Sequence, residues 1–277
     1  METFFTFLEK RVDDSSSLLC VGLDPHIPDL EEPTAASALD FCLNLVKRTA
    51  PYAAAFKPNA AFFEVFGAEG WTALKQVIDA IHEESARFGS KIPVILDAKR
   101  GDIASTADAY AVSAYQTLGA DCVTLSPYLG KDSIEPFVQN PEKGIFLLCK
   151  TSNAGSADLQ NLIVQPTGSD PMPLYIYVAQ LAQRWNVKNN IGVVVGATHP
   201  QIMETIRAAA PDLWLLAPGV GAQGGELELA LKSGLRKDGK GILLPVSRGI
   251  SRAADPAKAA AELRDEILNV KLRLHKR

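Results

Sequence analysis

The sequence predicts an α/β protein, a (β/α)8 TIM barrel, and three observations carry that expectation. Eight short apolar runs, many of them rich in branched residues, recur along the chain. Stretches with helical periodicity fall between them. The runs are almost continuously apolar rather than alternating, as parallel strands covered on both faces require. Strands alternating with helices build right-handed βαβ units, and eight units in about 250 residues is the arithmetic of a closed barrel. An open, doubly wound sheet is the alternative that shares this local pattern.

The expected strands are 18–23 (LLCVGL), 53–57 (AAAFK), 93–97 (PVILD), 121–126 (DCVTLS), 144–149 (GIFLLC), 191–195 (IGVVV), 213–217 (LWLLA) and 241–246 (GILLPV). A helix over 37–48 carries Leu39, Cys42, Leu43 and Val46 on one face. A second, over 71–88, carries Leu74, Val77, Ile78 and Ile81, the i, i+3, i+4, i+7 stripe of an amphipathic helix. An alanine-rich helix is expected over 104–118, with Asp102 or the Ser105/Thr106 pair as its cap. Asp255 and Pro256 read as the N-cap and first residue of a final helix bearing Leu263, Ile267, Val270 and Leu274. The segment 156–173 (SADLQNLIVQPTGSDPMP) is the longest expected loop. No linker, repeat or low-complexity tract divides the chain, so 1–277 reads as one domain.

Composition removes several function classes. The 277 residues hold 28 Lys+Arg against 32 Asp+Glu, a net charge of -4. Sequence-independent nucleic-acid binding needs a basic excess that this chain lacks. No apolar run approaches the ~18 residues of a membrane span. The start, METFFTFLEKRVDD, resembles neither a secretory signal nor a transit peptide, and a cytoplasmic location is expected. Cys20, Cys42, Cys122 and Cys149 form no CxxC and sit in apolar stretches, as small buried residues of a reducing compartment do. The histidines His26, His82, His199 and His275 have no zinc-site spacing, and no GxSxG elbow is present.

Barrel active sites lie at the C-terminal ends of the strands, where this chain places its charges. The third run ends Asp97-Ala98-Lys99-Arg100-Gly101-Asp102. Strand period two puts Asp97 and Lys99 on one side, where the two charges hold each other ionised. Asp102 adds a carboxylate near Lys99, and Lys57 ends the neighbouring strand, so an alternating Lys–Asp–Lys–Asp array can form. A purely structural ion pair plugging the barrel top is the competing reading. The run 218–225 (PGVGAQGG) follows the seventh strand, and Arg248 follows the eighth. Glycines let backbone N–H groups approach a phosphate, and Arg supplies a fixed fork for it. The glycines Gly221, Gly224 and Gly225 are the candidates, against the alternative of a flexible turn before a helix.

Together, DAKRGDI, GLDP, FKPN, KTSNAG, PGVGAQGG and SRGI resemble orotidine 5'-phosphate decarboxylases of the bacterial group with a DAKRGD third-strand motif. The motifs run in order over essentially the whole chain. DxKxxD alone is shared with a wider suprafamily; DAKRGDI with PGVGAQGG is far more specific. The resemblance implies decarboxylation of orotidine 5'-phosphate to UMP and CO2, the last step of de novo UMP biosynthesis, with no metal and no other cofactor. It implies that Asp24 and Lys57 contact the ribose hydroxyls, Asp97 faces the substrate carboxylate and Lys99 donates a proton to C6. It implies a homodimer in which Asp102 and Thr106 enter the partner's site. Ser152 would bond the pyrimidine edge, Gln223 would bridge ring and phosphate from a mobile loop, and Arg248 would bind the phosphate. The stretch 156–190 exceeds a minimal barrel of this kind, and no residue is carried over from it. Metal-dependent suprafamily members and a non-catalytic nucleotide-binding barrel are the rivals; Lys57, a cation, disfavours a metal beside it.

Overall fold

The structure, a computed structural model, describes residues 2–220 and 224–275. Its strands are β1 (Leu19–Leu23), β2 (Ala55–Pro58), β3 (Ile95–Arg100), β4 (Cys122–Leu125), β5 (Gly144–Lys150), β6 (Ile191–Val195), β7 (Leu215–Leu216) and β8 (Ile242–Val246). Every adjacent pair is parallel, from β2 through β1, β8, β7, β6, β5 and β4 to β3. Parallel bridges Phe56↔Val94 and Asn59↔Asp97 join β2 to β3, so the sheet closes on itself as a (β/α)8 barrel. The open-sheet alternative is thereby excluded.

Each of the eight expected runs forms a strand; several are trimmed at an end, while β2, β3 and β5 run on to Pro58, Arg100 and Lys150 and β6 keeps its expected ends. The trimming is greatest in β7, yet Leu213, Trp214 and Ala217 beside it are wholly buried. Its ladder also continues beyond the strand: Val193 N donates to Trp214 O (2.9 Å) and Ala217 N to Leu243 O (2.9 Å).

The main helices are α1 (Phe4–Ser15), α2 (Ala35–Thr49), α3 (Gly67–Arg87), α4 (Ala104–Val112), α5 (Leu174–Trp185), α6 (Pro200–Ala209), α7 (Gly224–Gly234) and α8 (Pro256–His275). The cap expected for α8 is present: Asp255 Oδ1 accepts from Ala257 N (3.0 Å) and Lys258 N (3.2 Å). The expected caps of α4 are not. Its N-cap is Ile103, without a side-chain bond, because Asp102 Oδ1 instead accepts from the adjacent Ile103 N (2.8 Å). The helix then widens into a π-turn over Ser113–Thr117.

Two further features depart from expectation. The segment 156–173 is not a bare loop. It holds a one-turn helix (Ala157–Gln160) and an antiparallel pair, Ile163–Val164 with Met172–Pro173, closed by Leu174 N donating to Leu162 O (2.8 Å). Its Pro, Gly and Ser content signals a turn, but two-residue strands are too short to leave a periodicity. Helix α1, unanticipated, plugs the N-terminal end of the barrel. Thr3 and Thr6 cap it reciprocally. Phe5 stacks on Trp214 (centroids 6.0 Å apart) and meets Phe146 edge-on (5.7 Å). The ring of Phe4 fills the space a side chain on Gly144 would need.

Candidate active site

The opposite end of the barrel gathers the charges. Lys57 on β2 and Asp97 on β3 are each under a tenth exposed. Lys57 Nζ lies 2.8 Å from Asp97 Oδ2, and Lys99 Nζ 2.6 Å from Asp97 Oδ1. Burial by itself pushes the Asp97 carboxyl up. The charges of Lys57 and Lys99, with their hydrogen bonds, outweigh it and hold Asp97 well below the usual carboxylate range. Burial likewise presses Lys57 toward neutrality, but the charges of Asp97 and Asp24 more than offset it, so Lys57 is raised. One carboxylate thus sits between two ammonium groups, with Lys99 the more open: its side chain is 49% exposed.

The backbone under this triad is irregular. Leu96 pairs with Val123 and Arg100 with Leu125, a register shift that breaks period two over Asp97, Ala98 and Lys99. Lys99 has φ of 48°, in the left-handed region. The expectation that Asp97 and Lys99 meet is met, but through a bulge and not through strand alternation. Thr124 on β4, which sequence reasoning passed over, touches all three residues. Its Oγ1 accepts from Ala98 N and Lys99 N (both 3.0 Å) and donates to Asp97 Oδ1 (2.9 Å). A threonine in an apolar strand is an ordinary β-former; its one signal was being the hydroxyl in the strand beside the charged one.

A cavity of about 850 Å³ opens beside the triad, lined among others by Gly22, Asp24, Lys57, Gly219, Ser247 and Arg248. Asp24 Oδ1 is buried there with no hydrogen-bond partner among the described residues. Arg248, exposed at the end of β8, pairs with no carboxylate among them. The remaining candidates lie around the rim. Ser152 is exposed on the loop after β5; a side chain on Gly196 would stand 3.0 Å from its Cβ. Thr106 is exposed on α4, and Asp102 is half-buried and outside the ion pairs of the described residues. The structure therefore joins Lys57, Asp97 and Lys99 within one chain and leaves Asp102 apart. Gly221 and Gln223 lie outside the described residues, and Gly224 and Gly225 open α7. No group of three His, Cys, Asp or Glu among the described residues is placed to hold a metal ion.

A closed parallel barrel with an ionised Lys–Asp–Lys triad at its C-terminal mouth defines a barrel of the kind that carries its site on the strand ends. A family model described as "Orotidine 5'-phosphate decarboxylase / HUMPS family" matches residues 17–263, and the chain belongs to that family. An orotidine 5'-phosphate decarboxylase of Roseiflexus castenholzii is 47% identical over 275 residues, covering 95% of this chain and 97% of the relative. The structure of Leishmania donovani OMP decarboxylase superposes with a TM-score of 0.86 at 51% identity, covering 98% of this chain and 99% of that one. The fold extends to the Methanocaldococcus jannaschii enzyme complexed with inhibitor BMP, at a TM-score of 0.65 and 21% identity over 90% of this chain and 97% of that one.

Proposed function

We propose that this chain, as one barrel domain, decarboxylates orotidine 5'-phosphate to UMP and CO2 without a cofactor, completing UMP synthesis in the cytoplasm. The observation that carries the reading is the ion-paired triad Lys57–Asp97–Lys99, whose Lys57 lines a cavity that also holds Asp24 and Arg248. In the reaction the bond between C6 and the carboxylate breaks and CO2 departs. The electron pair stays on C6, where the Lys99 ammonium lies in wait and gives up a proton; solvent then reprotonates the amine. Fixed positive charge aimed at a developing carbanion is electrostatic preorganisation, and Asp97 keeps that charge in place. Asp97 also faces the departing carboxylate, a repulsion whose share in catalysis is contested.

Asp24 and Lys57 take the ribose hydroxyls: an unpartnered buried carboxylate oxygen suits a hydroxyl donor. Arg248, paired with no carboxylate among the described residues, takes the phosphate, helped by Gly221, Gly224 and Gly225, while Gln223 bridges phosphate and ring. Ser152 reads the pyrimidine edge. The phosphate, remote from C6, supplies binding energy for closure over the site. Asp102 and Thr106 complete the site of a second copy in a homodimer, and the fourth member of the charge array is the partner's. Support comes from the apolar residues exposed around them, Ile103, Tyr128 and Leu129.

Loss of the orotidine absorbance on adding purified protein tests the reading. Turnover unchanged by a chelator is expected; binding of UMP without turnover, or turnover abolished by a chelator and restored by a divalent metal, overturns it.

A further inference from the structure

Three residues of β3, Asp97, Ala98 and Lys99, face the single residue Thr124 across the β3–β4 ladder. Such a bulge takes backbone amides out of regular pairing, and buried amides need other acceptors. The Thr124 hydroxyl is that acceptor. It has two lone pairs and one proton, and all three are used: two on the amides of Ala98 and Lys99, one on Asp97 Oδ1. Thr124 is 1% exposed, so no water competes for these bonds. The bond to the Lys99 amide fixes a left-handed backbone that a residue with a Cβ avoids when unconstrained. With that turn, Lys99 Nζ reaches the same oxygen, Asp97 Oδ1, that Thr124 holds from the other side.

We propose that Thr124 is a positioning residue: its hydroxyl locks the bulge that aims the Lys99 ammonium, and so sets the rate of proton delivery without touching substrate. This rests on the reading of Lys99 as the proton donor. It separates a buried threonine that supports the reaction from one that merely fills a strand.

The test uses Thr124→Val, which keeps the shape and removes all three bonds, and Thr124→Ser, which keeps the bonds and removes a methyl group. Turnover, KM, UMP affinity by titration calorimetry and thermal unfolding are measured on each, beside Lys99→Ala. Misplacing a catalytic group by about 1 Å costs on the order of 10²-fold, so Thr124→Val is expected to lose about that much in kcat. UMP affinity should stay within about threefold, because a loss confined to the transition state spares ground-state binding. Thr124→Ser should keep kcat within about threefold of the parent. A Thr124→Val protein that melts earlier but turns over at the parent rate overturns the proposal, as does a Thr124→Ser protein as impaired as the valine. If the valine variant does not fold, Thr124→Ala supplies the hydroxyl-free comparison. An inactive Lys99→Ala beside a fully active Thr124→Val refutes the positioning role alone; an active Lys99→Ala refutes the proton-donor reading and this one with it.

Discussion

Replacing Lys57 by Met keeps the aliphatic stem and removes the charge, which isolates the buried half of the triad. Lys57 and Asp97 side chains are 10% and 11% exposed, and their 2.8 Å contact is the most sheltered of the triad. Breaking a buried pair on one side costs about 3–5 kcal/mol, because the surviving charge stays desolvated. Asp97 would retain the more open Lys99, which places the expected loss near the lower end, about 3 kcal/mol. For a chain of this size that corresponds to a fall of roughly 6–12 °C in Tm. The pH dependence has a definite sign. The folded-state pKa of Asp97 is depressed, so its contribution is present above the unfolded carboxylate pKa of about 3.9 and is lost as pH falls through the lower folded value. In Lys57→Met the folded value rises toward the unfolded one, so the deficit should be full at neutral pH and shrink in acid. Calorimetric unfolding of both proteins from neutral pH down to about pH 2, well below the unfolded carboxylate pKa, measures it. Adding Asp97→Asn to Lys57→Met removes the stranded charge and should recover part of the loss, which a double-mutant cycle reads as coupling. A Tm equal to the parent's at neutral pH, or a deficit that does not shrink on acidification, would refute the reasoning.

Lys99→Ala should abolish nearly all turnover in a folded protein, since its side chain is half-exposed at the mouth; substantial residual decarboxylation would remove it as proton donor. Arg248→Ala should weaken UMP by about 1.5–3 kcal/mol and leave uridine unchanged in calorimetric titration, because charge-assisted phosphate bonds are lost. Mixing Lys99→Ala with Asp102→Asn and allowing subunit exchange should restore about a quarter of parental sites if Asp102 serves its two-fold partner; no recovery after demonstrated exchange would place Asp102 in its own subunit's site.

The strands were legible because a parallel barrel buries both faces, so each strand announces itself as an unbroken apolar run such as Ile191–Val195. The charges at the mouth were legible because Lys57 and Asp97 terminate such runs. What escaped depends on partners far along the chain. Helix α1 is specified by the fit of Phe4 and Phe5 against Gly144, Phe146 and Trp214, which no local window contains. The bulge at Lys99 depends on a hydroxyl 25 residues away. Strand alternation led to the right pairing of Asp97 and Lys99 for an incomplete reason: it accounts for neither the left-handed φ nor the two amides that leave the ladder.

The two ends of the barrel treat their charges in opposite ways, and the contrast locates stability and function. At the N-terminal end, buried charge is spent on backbone. Arg11 donates to the carbonyls of Ala50 and Ala53, and Arg207 to those of Leu213, Gly234 and Gly241. Burial first, then the neighbouring Arg236, pushes the Arg207 guanidinium down to about 10, which still leaves it charged at neutral pH. Each of these groups is neutralised by dipoles that the fold itself supplies, and each ties loops to strand starts. At the C-terminal end polar groups are left incomplete: among the described residues Asp24 Oδ1, Ser247 Oγ and Ser251 Oγ lack partners, and Arg248 faces no carboxylate. A buried acceptor without a donor costs roughly 1–3 kcal/mol, a cost the fold could have avoided with apolar residues. Asp24 and Ser247 line one cavity, while no buried side-chain polar atom at the other end lacks a partner among the described residues, and that asymmetry suits a site held ready for a polar ligand.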